Sequence, residues 1–315
     1  GGNINTDNDG TDLGDVDING AVALAAGVTI DTSAGDGTVN LSSTVDNAQN
    51  FDIASGAGAV VITGGIGLTT ALTSLDINQG GGAGTITIND IGDAGVGVTA
   101  ATRIGNAATT NITLGGTVYR TTGAQTYVAV AGNTIDLTAG ATTTFTSTNT
   151  AITFGTGTVE LADGSNLVVT SGVGAGNISL VAIKGSSVED VTLNAAGGNV
   201  TIGFIGTVAA EINDVTMTGA TINLGGDIKT DDAGDVDLNG AVVLTAAVEI
   251  DTSAGNGTVD LSSTLNGAFN FDIVSGNGAV AIQGVTGGTA ALASLDINQA
   301  GGLGTIEVNN IGAGT

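Results

Sequence analysis

The densest run of oxygen donors in the chain is Asn5-Thr6-Asp7-Asn8-Asp9-Gly10. Ligands at alternate positions, then a Gly where the chain must turn sharply, form the first half of a calcium-binding loop. Asn5, Asp7 and Asp9 would supply side-chain oxygens and Thr11 its carbonyl. The twelfth position, where such a loop carries a bidentate Glu, is Val16, and a second copy of the run reads Lys229-Thr230-Asp231-Asp232-Ala233-Gly234. A solvated acidic turn is therefore the competing reading. Asp15 with Asp17, and Asp235 with Asp237, are acids two apart that would share one face of a strand. That spacing suits general acid-base work on a glycan. Such sites also need aromatic or cationic side chains to hold sugar, and none adjoin these pairs, so no catalytic residue is assigned. Asp31 and Asp251, and Asp52, Asp76, Asp272 and Asp296, read as outward or corner residues.

What is missing narrows the chemistry further. Among 315 residues there is no Cys, His, Pro or Trp, and only Arg103, Arg120, Lys184 and Lys229 oppose 30 carboxylates, for a net charge of −26. This removes thiol nucleophiles, Ser-His-Asp triads, zinc held by its usual ligands and imidazole acting near neutral pH. Phosphate contacts need clustered cations, so neither nucleic acid nor an anionic membrane surface is expected as a partner. No apolar run approaches the ~20 residues of a membrane span, and no basic-then-apolar signal opens the chain. Gly80-Gly81-Gly82-Ala83-Gly84 lacks the Lys of a phosphate loop and precedes strands instead of a helix, which dismisses nucleotide binding.

The elements that would position these residues come from duplication. Residues 14–92 align without a gap on 234–312 at an offset of 220, with 54 of 79 positions identical. Ser74-Leu75-Asp76-Ile77-Asn78-Gln79, for example, returns at 294–299. Upstream, Gly1-Gly2-Asn3-Ile4 matches Gly225-Gly226-Asp227-Ile228 at an offset of 224. Residues 1–224 are thus read as a first long tandem copy and 225–315 as the start of a second, in a chain that looks like a segment of something longer.

Inside each copy runs a looser period. Phe51-Asp52-Ile53, Val60-Val61-Ile62 and Gly65-Ile66-Gly67 recur as Leu75-Asp76-Ile77, Ile86-Thr87-Ile88 and Ile91-Gly92. They recur again as Val191-Thr192-Leu193, Val200-Thr201-Ile202 and Ile205-Gly206. The steps Val28 to Phe51 to Leu75 to Val96 are 21 to 24 residues. The clusters are in-out-in triplets rich in β-branched residues and bounded by Gly, Asn, Asp or Ser. Short strands repeated at this spacing predict an all-β chain folded as a parallel β-solenoid of roughly 22-residue coils. Tandem antiparallel β-sandwich domains are the rival, but they call for large core aromatics, and Phe and Tyr total eight here. Tyr119, Tyr127, Phe145 and Phe154 are expected in the core.

The run Thr121-Thr122-Gly123-Ala124-Gln125-Thr126-Tyr127, with the Leu-Thr-x-Leu-Asp-Ile and Gly-x-Val-Thr-Ile type runs, resembles the β-strand repeats of giant bacterial surface and secreted proteins related to filamentous haemagglutinin. The resemblance extends over essentially the whole chain. It implies a long right-handed β-helical shaft exported to the cell surface, serving adhesion, aggregation or matrix building, with surface or matrix glycans and proteins as partners. The family's secretion domain, anchor and receptor-binding module are not among these residues.

About 14 coils stacked at roughly 4.8 Å would carry about one net charge per 3 Å. That approaches the one charge per roughly 1.7 Å of duplex DNA, so divalent cations are expected to gather along the chain. Thr142-Thr143-Thr144-Phe145-Thr146 is explained by strand propensity more simply than by an ice-binding ladder. Taken together these readings predict a non-catalytic, extracellular structural or adhesive segment that self-associates into fibres. A β-helical glycan-binding or glycan-cleaving protein, and a calcium-dependent binding module, are the alternatives.

Overall fold

The computed structural model describes residues 2–6, 14–186, 188–298 and 301–312. The chain divides into two compact units, 1–160 and 161–315. Both are parallel β-solenoids. A strand of three residues in the in-out-in pattern turns two side chains inward and one outward, and Val39–Leu41, Val60–Ile62, Ile86–Ile88 and Ile112–Leu114 all show it. One such strand cannot shield its own apolar side. Stacked one coil apart, Val60 lies on Ile86 and Ile86 on Ile112, while Ile62, Ile88 and Leu114 form a second inward row. Each fully buried aliphatic side chain contributes about 1.5–3 kcal/mol, so coils stabilise one another where none would persist alone.

In the N-terminal unit the strands fall into three columns. Val28–Asp31, Asn50–Ala54, Ser74–Ile77, Thr102–Gly105, Gln125–Val128 and Ile152–Gly155 pair in succession. A second column runs from Val16–Ile18 through Val39–Leu41 to Ile112–Leu114 and Thr134–Leu137. The third is thinner, carried by single bridges from Val45 to Ile66, Ile91 and Tyr119. Every one of these pairings is parallel, which excludes the antiparallel sandwich. Tyr119 and Tyr127 stack on Phe145 and Phe154, with ring centroids 4.7 and 5.1 Å apart. All four rings are buried, as expected of a coil wide enough to need filling.

The C-terminal unit repeats the three columns, with strands that often turn a corner without breaking. Val215–Leu224 pairs along Val236–Leu244 in two registers, the shift falling between Thr218 and Thr221. Two details depart from the expected period. Leu75 takes Thr102 as its partner and not Val96, a step of 27 residues; the step is already 26 between Val60 and Ile86, and Val98, not Val96, bridges the coil below at Leu72. The triplet at Val191 is also out of phase with those at Phe51 and Leu75. Val191 stacks through Val215 on Val236, the equivalent of Val16, which places it in the second column where Phe51 occupies the first. A triplet looks alike on every face, so spacing alone cannot say which face it occupies.

Candidate functional site

The carboxylates singled out by sequence separate into two classes, corner acceptors and outward ladders. Asp15 precedes strand Val16–Ile18, and its Oδ1 accepts the Thr38 backbone N–H of the next coil at 2.7 Å. Asp235 does the same for Thr258 at 2.6 Å. Asp17 and Asp237 instead point outward from the strands themselves. The two members of each pair thus differ in setting: one accepts a backbone N–H of the coil stacked on it and the other lies on the outward face of the strand. Burial, followed by the charges of Asp260, Asp235 and Asp214, raises the Asp237 carboxyl above its ordinary value.

The corner role is general in the C-terminal unit. Asn166, Asp190, Asp214 and Asp235 each stand immediately before an inward triplet. Their Oδ1 atoms accept, in turn, the N–H groups of Asp190, Asp214, Asp235 and Thr258. This is an Asx ladder in which each rung satisfies a backbone donor of the next coil. The sequence signal was an Asn or Asp directly before the triplet at coil spacing, easily passed over when each acid is judged singly. Asp31 and Asp251 make identical local turns, accepting from Ser33 and Ser253 through both N–H and Oγ.

Asp52 lies beside Asp76 and Asp272 beside Asp296 on the outward face of the first column, as expected of outward residues. Burial and then the neighbouring Asp76 raise the Asp52 carboxyl. Burial, then Asp296 and Glu249, raise that of Asp272. Cations interrupt the acid rows at two places. Arg103 reaches Asp76 at 3.3 Å, and Lys229 bridges Glu249 at 2.7 Å and Asp251 at 3.2 Å.

Of the calcium-loop residues, Asn5 is exposed at the end of a two-residue strand beside Asp31. Asp7, Asp9 and Thr11 lie outside the described residues. Among the described residues no group of three or more acids is arranged to hold a metal. A groove of about 440 Å³ in the C-terminal unit is lined by Phe204, Val208, Asp227 and Lys229, and neither Asp235 nor Asp237 belongs to it.

One buried acid had no sequence signal. Glu189 is wholly buried and accepts from Ser186 N–H at 2.6 Å, Ser186 Oγ at 2.8 Å and Gly164 N–H at 3.1 Å. A carboxylate so supplied with donors joins two corners one coil apart. No helix among the described residues is long and apolar enough to cross a membrane. Comparison of the chain with family models, with curated proteins and with solved structures finds no match.

Proposed function

We propose that the chain is a non-catalytic structural segment: a β-solenoid shaft of an exported, bacterial-type tandem-repeat surface protein, serving adhesion or matrix building and associating into fibres. The observation that carries this reading is what the polar side chains do. Corner Asp and Asn side chains bond backbone donors one coil away, so residue types that elsewhere perform chemistry here hold coil to coil. A periodic structure with this distribution of polar bonds is suited to bearing load and presenting a long surface. Outward acid rows supply like charge that keeps exposed β surfaces from pairing at random.

Cryo-electron microscopy of the purified chain, with and without millimolar calcium, tests the fibre reading. Filaments with an axial repeat near 4.8 Å support it. A chain that sediments as a monomer at high concentration in both conditions overturns self-association. Release of reducing ends from polysaccharide, lost on Asp15→Asn and Asp17→Asn, would replace the structural reading with an enzymatic one.

A further inference from the structure

Six of the aromatic rings fill the core, but one stands at a corner of the C-terminal unit with polar groups gathered around it. Phe51, Tyr119, Tyr127, Phe145, Phe154 and Phe271 are fully buried. Phe204 is half-buried, between inward Ile202 and inward Ile205 on strand Asn199–Ile205. The strand turns there from one column to the next, since Ile202 pairs with Leu224 and Ile205 with Ile228. A Cβ on Gly226 would lie 3.3 Å from that of Phe204, so glycine keeps the surface beside the ring low. The groove of about 440 Å³ thus has apolar walls of Phe204, Val208 and Ala247, and its polar groups are Thr207, Asp227 and Lys229. Asp227 Oδ1 accepts the Glu249 N–H at 2.9 Å, and Lys229 Nζ donates to Glu249 at 2.7 Å and to Asp251 at 3.2 Å. Bonds between coils therefore fix both side chains before any ligand arrives. Each keeps capacity for one, because a carboxylate has a second oxygen and an ammonium a third N–H.

We propose that this groove binds a neutral polysaccharide, with one pyranose ring lying on Phe204 and its hydroxyls bonding Thr207, Asp227 and Lys229. The proposal rests on the structural reading above, in which the shaft serves adhesion or matrix building, and names the chemistry of one partner. Three observations select the ligand. A sugar ring has an apolar face and hydroxyls at its edge, which matches an aromatic side chain flanked by an acceptor and a donor. Glu211, Asp227, Glu249 and Asp251 lie about the single cation Lys229, so an acidic glycan is repelled. Strand Asn199–Ile205 is already paired on both sides, so a peptide finds no strand edge to extend at the ring.

The test is retardation of the full chain in native gels cast with soluble neutral polysaccharides, a β-glucan, a mannan and a dextran, and with polygalacturonate as the anionic comparison. At least one neutral polymer is expected to retard the chain, and polygalacturonate to leave its mobility unchanged at low salt. Phe204→Ala should weaken binding about ten-fold or more. Phe269→Ala, at the 39% exposed ring outside the groove, should leave binding as it is. Unchanged binding by a folded Phe204→Ala chain overturns the proposal. If that variant does not fold, Val208→Asp takes its place, at a residue 81% exposed on the rim. About five-fold weakening is then expected, and unchanged binding again overturns the proposal. So does the absence of retardation by all three neutral polymers, or tighter binding of polygalacturonate. Hydrogen exchange at 204–208 that slows with a casein digest and not with the polysaccharides gives the groove to a protein partner, and overturns it likewise. A chain that binds polysaccharide without forming fibres keeps the groove and loses self-association, and fibres without binding do the reverse.

Discussion

Glu189 shows how a single residue can hold a coil in place without belonging to its repeating pattern. Among its partners, its carboxylate accepts from the N–H and Oγ of Ser186 and from the N–H of Gly164. Truncation would remove this buried acceptor, while the donors stand on exposed residues where water replaces part of the loss; a hydrogen bond to a charged group contributes about 1.5–3 kcal/mol. Glu189→Ala is expected to lower stability by about 3 kcal/mol, read as a shift in the denaturant midpoint with the slope unchanged. Glu189→Gln should cost less, since the amide keeps one oxygen acceptor but brings an NH2 group toward existing donors. Asn78 and Asn298 follow a rule the duplication does expose. Both take positive φ, 56° and 51°, and both accept from the N–H of a serine one coil earlier, Ser55 and Ser275, at 2.8 Å. Such a pair was visible as a repeated letter, whereas its bond to the previous coil needed the fold.

At the level of the element, the glycines decide how closely coils approach. Gly234, Gly257, Gly278 and Gly304 stand in one file, and a Cβ on Gly257 would lie 2.0 Å from the Gly234 carbonyl oxygen. Gly257 does not sit at positive φ, so contact alone forbids a side chain there. Gly257→Ala is expected to destabilise by about 2 kcal/mol through forced separation of two coils. Gly80→Ala, with nothing within 4 Å of the added carbon, should stay within about 0.5 kcal/mol. Thermal unfolding of both variants separates packing from glycine's backbone entropy. Strand type, the parallel stack and the buried aromatics were legible because apolar triplets and turn residues recur at nearly constant spacing. The face each triplet occupies was not, as Val191 shows, because its in-out-in pattern suits all three columns equally. The step from Leu75 to Thr102 was misjudged for a related reason. Val96 looked like the next triplet, but only the pairing of backbones reveals that Val98 lies on Leu72 and that the strand begins at Thr102. Phe145, stacked on Tyr119 and edge-on to Tyr127 and Phe154, should cost about 4 kcal/mol on truncation to Ala.

Over the whole molecule, 30 carboxylates against four cations couple stability to pH and to ions in a direction opposite to that of most globular proteins. Acid usually destabilises, because paired carboxylates hold lowered values in the folded state. Here Asp52, Asp237, Asp272 and Glu211 are all raised, each first by burial and then by neighbouring acids. A raised folded value means that the folded state binds the proton more tightly than the unfolded chain. These groups therefore add stability as pH falls through their folded values, fully present below the ordinary 3.8 of Asp or 4.5 of Glu, and lose it as pH rises. Lys229 and Asp251 do not reverse the trend within that window. Asp251 is lowered by its bonds to Ser253 and Lys229 against the opposing effect of burial, so its contribution is lost only as pH falls below 3.8. Lys229 is raised by its bonds to Glu249 and Asp251, again against burial, and its contribution is lost only at strongly alkaline pH. The midpoint of thermal unfolding is accordingly expected to rise by a few degrees between pH 7 and about pH 4.5, and to rise at pH 7 on adding salt or millimolar divalent cation. Asp272→Asn should mimic part of this at neutral pH, because it removes the charge facing Asp296 and Glu249 while preserving the outward shape of the rung. Scanning calorimetry across pH on the parent and on Asp272→Asn checks both. A midpoint that falls steadily on acidification would show that the outward rows do not set the pH dependence.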